Sequence, residues 1–82
     1  MSNEYCTLIN SQDEAMKLLE KIESVSKIRW YDGSRPMDST SYVFPWWLEI
    51  LEKNELTLVS YRRFRKLTAE EFVDECRRRM PK

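Results

Sequence analysis

The sequence predicts a two-layer α+β sandwich in the order β-α-β-β-β-α, with about four strands in one sheet and two helices on one face. Three features carry that reading. Two segments open on helix capping boxes and continue as single apolar stripes; the segments around them are short, β-branched and aromatic; and the longest stretch without periodicity lies mid-chain. With 82 residues the chain forms one domain, 1–82, and has no room for a second core.

Tyr5-Cys6-Thr7-Leu8-Ile9 has the composition of a strand. Ser11-Gln12-Asp13-Glu14 then caps a helix whose Ala15, Leu18, Leu19, Ile22 and Val25 recur at helical spacing, while Lys17, Glu20, Lys21 and Glu23 take the wet side. Lys27-Ile28-Arg29-Trp30-Tyr31 reads as the next strand, stopped by Asp32-Gly33. A helix of this length serves as a crossover, so the two strands are expected to be parallel within one sheet. Residues 32 to 45 hold the only glycine and two of the three prolines, and form a loop long enough to be functional or simply to tuck Tyr42 or Phe44 into the core. Trp46 to Leu51 and Leu56 to Tyr61 read as a hairpin turning near Lys53-Asn54. Its register stays open: a two-residue loop pairs Leu48 with Val59, whereas a three-residue loop pairs Ile50 with Leu58 and exchanges the faces. Last, Thr68-Ala69-Glu70-Glu71 is a second capping box, Leu67 and Phe72 form a hydrophobic staple, and Phe72, Val73, Cys76 and Met80 make the buried stripe of a helix ending about Arg79. Asp74 with Arg78 and Glu75 with Arg79 are spaced as i, i+4 pairs.

Composition excludes several chemistries. The chain holds no histidine, which removes imidazole acid/base catalysis, Ser-His and Cys-His nucleophiles and every His-containing zinc site. A single glycine, Gly33, cannot build a Gly-rich phosphate loop. Asp32 and Asp38 flank the long loop as a conceivable carboxylate pair, yet serve equally as turn residues. Glu49 and the capping acids have solvent-face or capping explanations. No enzyme activity, cofactor or metal is therefore expected. Cys6 and Cys76 are expected to be reduced and buried. The N-terminal residues lack the pattern of a secretory signal, charges interrupt every apolar stretch, and a cytoplasmic location without membrane attachment is expected.

Exposed chemistry concentrates in two places. Tyr61-Arg62-Arg63-Phe64-Arg65-Lys66 puts four cations and two aromatics together without an acid, a combination that suits single-stranded nucleic acid or, on an edge strand, merely resists unwanted pairing. The formal net charge is zero, which is not the footprint of a dedicated nucleic-acid binder. In Trp46-Trp47 adjacent side chains point to opposite faces, so one tryptophan enters the core while the other lies on the open sheet face, unless both are half-buried packing residues. Exposed Trp, Tyr and Arg dominate protein interfaces.

From the first strand through Ser11-Gln12-Asp13-Glu14-Ala15, Lys17-Leu18-Leu19-Glu20-Lys21-Ile22, Lys27-Ile28-Arg29-Trp30, Leu56-Thr57-Leu58 and Leu67-Thr68-Ala69-Glu70-Glu71-Phe72, the pattern resembles small accessory proteins of tailed phages and prophages. The resemblance implies no catalytic signature. It implies a protein that inhibits or redirects a host or anti-phage defence protein by direct contact, in the host cytoplasm. Tyr42, Trp46, Trp47, Tyr61, Arg62, Arg63 and Arg65 are the candidate binding residues, and Arg62→Glu with Arg63→Glu is expected to abolish binding while the fold survives. The alternative uses the Arg-rich strand on single-stranded nucleic acid or a phosphorylated nucleotide. A second copy on the open sheet face, giving a homodimer, is a further expectation.

Overall fold

The structure, a computed structural model, describes residues 3–38 and 44–82. In chain order it contains β1 (Tyr5–Ile9), α1 (Gln12–Val25), β2 (Arg29–Trp30), a 3₁₀ turn (Pro36–Asp38), β3 (Trp46–Ile50), β4 (Glu55–Val59), β5 (Arg65–Lys66) and α2 (Ala69–Arg79). The strands form one mixed sheet of five, ordered β2-β4-β3-β1-β5. This is the α+β arrangement expected, with one strand more.

Both helices begin where their caps dictate. The Ser11 hydroxyl accepts from the Glu14 amide, although the Glu14 carboxylate reaches back to the Asn10 amide rather than to Ser11. At Thr68 the reciprocal box is complete, with 3.2 Å from the Glu71 amide to the Thr68 hydroxyl and 2.9 Å from the Thr68 amide to the Glu71 carboxylate. Ala15, Leu18, Leu19 and Ile22 of α1 share one core with Phe72, Val73 and Cys76 of α2 and with Ile9, Leu48, Ile50 and Leu56 of the sheet, which places both helices on the same face. Cys6 and Cys76 are free and buried. No helix among the described residues is long and apolar enough to cross a membrane.

β1 and β2 run parallel within one sheet, as expected, with β3 and β4 between them. The hairpin takes neither register anticipated: Leu48 faces Leu58 and Ile50 faces Leu56, because the three-residue loop is Glu52–Asn54, closed by the Leu51 amide on the Glu55 carbonyl. Asn54 supplies the left-handed residue this loop needs, at φ 63°. Of the helix-surface pairs, Glu75 does meet Arg79, but Asp74 pairs with Arg77 rather than Arg78. Arg79 is nearly buried, donates to the Leu51 carbonyl at 2.9 Å and lies over the Tyr5 ring, tying α2 to the hairpin turn. Burial acts to raise the Glu75 carboxyl, but hydrogen bonds from Arg79 and Arg78 outweigh it and hold the group below its usual range.

Candidate functional site

Strand alternation fixes what each sheet face carries. Leu48 and Ile50 enter the core, so Glu49 between them points to the second face, opposite the helices. Cross-strand pairing sets Cys6, Glu49 and Thr57 in one row there, and Leu8, Trp47 and Val59 in the next. Continuing the two edge pairings places Lys66 beside Cys6 and Tyr31 beside Thr57. One row thus spans the whole sheet.

Residues 60–64 cross this row. They join β4 to β5 at the opposite edge, and both strands run parallel to β1. The link must pass three strand spacings sideways, roughly 14 Å, and return about 10 Å along the strands, a diagonal of about 17 Å. Six Cα steps reach about 20 Å, so the crossing has little slack.

The crossing is pinned by a buried carboxylate. Glu49 is completely buried, and Arg63 donates to it twice, Nε to Oε2 at 3.0 Å and an Nη to Oε1 at 2.7 Å. The Thr57 hydroxyl adds a third donor at 2.9 Å. Hydrogen bonding to Glu49 holds the Arg63 guanidinium charged, above its already high value, against the burial that opposes it. The Cys6 thiol and the Arg62 Nε both donate to the Phe64 carbonyl, at 3.2 and 3.0 Å, and Arg63 lies over the Phe64 ring. Burial raises the Cys6 thiol above its ordinary value. The solvent-face reading of Glu49 is therefore corrected: its face is the second one, but the chain covers it.

The sequence-derived binding residues separate accordingly. Trp47 is half-buried on the second face, and Tyr61 and Arg62 are exposed on the crossing. Arg63 is the internal anchor, so charge reversal there would set two carboxylates together rather than test binding. Trp46 pairs with Ile9 on the helix side, half-buried, and its indole N–H is buried without a hydrogen-bond partner among the described residues. Arg65 pairs with Tyr5 and frames a cleft with Glu71 and Arg78 of α2, away from the crossing. Tyr42 lies outside the described residues. Two residues that sequence reasoning missed complete the face: Tyr31, 66% exposed, and Lys66. Both follow from alternation against Trp30 and Arg65.

In the long loop, residues 32–38 are ordered by local hydrogen bonds. The Asp32 carboxylate accepts from the Ser34 hydroxyl and amide, which lower it below its usual range, and Asp38 accepts from the Arg35 amide. Both acids act as turn residues. Among the described residues no cluster of three His, Cys, Asp or Glu side chains is arranged to hold a metal ion.

Comparison with protein-family models, with curated proteins and with solved structures finds no match to this chain.

Proposed function

We propose that the protein is a binding module that uses the crossing segment and the flanking second face of the sheet to hold another protein. The observation that carries this is the Glu49–Arg63 clamp beneath an exposed, cationic, aromatic segment. A buried ion pair contributes little net stability, and its best-attested role is to fix one geometry among several. Here the geometry fixed is that of Tyr61 and Arg62, with Trp47 on the same face. A rigid aromatic and arginine surface loses little entropy when a partner docks, which is where affinity is gained. Following the phage resemblance, the partner is a host or anti-phage defence protein that is inhibited or redirected by contact.

The nucleic-acid alternative is weakened by the same clamp. One of the four cations of the run is committed to Glu49, and Arg65 is turned toward α2.

Immobilised protein incubated with lysate of host and phage-infected cells, with and without nuclease, tests the reading. The expected result is one discrete protein retained in both arms, lost with Tyr61→Ala/Arg62→Glu and kept with Arg65→Glu, all variants having parental circular dichroism. Retention that disappears on nuclease treatment, or that survives in the Tyr61/Arg62 variant, would overturn it.

A further inference from the structure

A second group of cations lies beside the end of α1. The end of α1, the start of β2, the turn that opens the 3₁₀ segment and Lys82 frame an open cleft of about 440 Å³. Four cations line it, Lys27, Arg29, Arg35 and Lys82, against one acid, Glu23. Arg35 is shared between Glu23 at 3.3 Å and Asp38 at 3.8 Å, both through its Nε, while Lys27, Arg29 and Lys82 have no ion pair among the described residues. The four come from three separate stretches of chain, Lys27 with Arg29, Arg35, and Lys82, so their convergence is a property of the fold rather than of a charge run.

The end of a helix normally repels anions through its free carbonyls. Here three of the last four are occupied. α1 has no basic residue in its last turn, and the tail supplies two donors, the Lys82 ammonium to the Glu23 carbonyl at 3.2 Å and the Lys82 amide to the Val25 carbonyl at 3.4 Å, while the C-cap Ser26 amide closes on the Ile22 carbonyl at 2.9 Å. The tail is itself held by the Ser26–Pro81 bridge and by the Lys27 amide on the Met80 carbonyl at 2.7 Å. Lys82 is thus held at the cleft by the end of α1.

We propose that this cleft binds the di- or triphosphate group of a small molecule. The uncommitted Arg29 fork, the Lys27 and Lys82 ammonium groups and the Nη donors that Arg35 keeps beyond its Nε pairs match several phosphate oxygens, and the volume falls in the range of small-ligand sites. Recognition is by side chains, as a chain with one glycine requires.

Titration of the labelled protein with inorganic pyrophosphate at constant ionic strength, read by amide chemical shifts, tests this. Saturable shifts confined to residues 27–29, 34–36 and 82 are expected. Lys27→Ala/Arg29→Ala removes two cations without an acidic partner, so its spectrum should stay native while affinity falls about tenfold or more. Lys17→Ala/Lys21→Ala, on the helical turns before the cleft, should bind as the parent does. Unsaturated shifts, unchanged affinity in the Lys27/Arg29 variant, or tighter binding of a single-stranded oligonucleotide with shifts centred on Arg62 and Lys66 would each overturn the proposal.

Discussion

The two members of the clamp are not equivalent, and their difference can be measured. Glu49 has no exposed surface, whereas Arg63 keeps 39% of its side chain in solvent. Deleting Glu49 frees a guanidinium that hydrates where it stands. Deleting Arg63 strands a carboxylate under the chain with only the Thr57 hydroxyl left to donate to it. Breaking a fully buried pair by removing one partner costs about 3–5 kcal/mol, and water entering where the Arg63 side chain stood puts the stranded Glu49 at the lower end, about 3 kcal/mol. At roughly 4–8 °C per kcal/mol for a domain of this size, Arg63→Ala should lower Tm by roughly 12–24 °C. Replacing both residues, Glu49→Leu with Arg63→Leu, removes the charges and their desolvation together and should leave stability within about 1 kcal/mol of the parent. Urea unfolding followed by tryptophan fluorescence reads both variants. If Arg63→Ala unfolds within about 1 kcal/mol of the parent, or the double replacement falls as far as the single one, Glu49 is not a buried charge that depends on Arg63, and the account of the crossing fails.

The other predictions concern the Cys76 thiol and the second cap. Burial pushes the Cys76 thiol up to about 12 from an ordinary 9.0, and a group raised on folding stabilises fully below its unfolded value and progressively less as pH rises through the folded one. Stability should therefore decline from pH 9 toward 12, and Cys76→Ala should flatten that slope in urea unfolding at about pH 8 and about pH 10.5; an equal slope in both proteins would contradict the assignment. Thr68→Ala removes one half of a complete capping box and should cost about 1 kcal/mol, read in the same unfolding assay, while Thr68→Asp should restore most of it.

What was legible in the sequence was local. A capping box needs four consecutive residues, so Ser11 and Thr68 located both helix starts, and the apolar stripes named the residues that share the core. Asn54 marked its turn for the same reason. Sheet order was not legible, because β1 finds β3 and β5 across long stretches of chain that no local signal links. The hairpin lies one position from the two-residue-loop register considered and two from the other, since Glu52 and Lys53 carry no turn preference strong enough to choose a loop start. The crossing did leave a trace that went unread: between Ser60 and Lys66 there is no Gly, Pro, Asn or Asp, so the chain has nothing to turn it back on itself and continues across the sheet. Alternation then separates Arg65 from Lys66, and the choice of Arg65 for the binding face followed from residue type rather than position.

The crossing also constrains any partner. Two sheets that pack face to face stand about 10 Å apart with their side chains interdigitated, and a second copy approaching the open face in that way would meet residues 62–64 over the Cys6–Glu49–Thr57 row. Flush pairing of two sheets is thereby blocked at the centre. What can be covered is the outer surface of the crossing and the strips beside it, Tyr31 on one side, Trp47 and Val59 along another, Lys66 at the far edge. That surface is cationic at Arg62 and Lys66, and neither has an ion pair among the described residues. A partner presenting acidic groups around an apolar centre fits it by charge and by shape, and such a partner would be steered by the rim and held by the aromatics. Raising salt should then slow association far more than it speeds dissociation, because the exposed charges are screened while the docked rings are not.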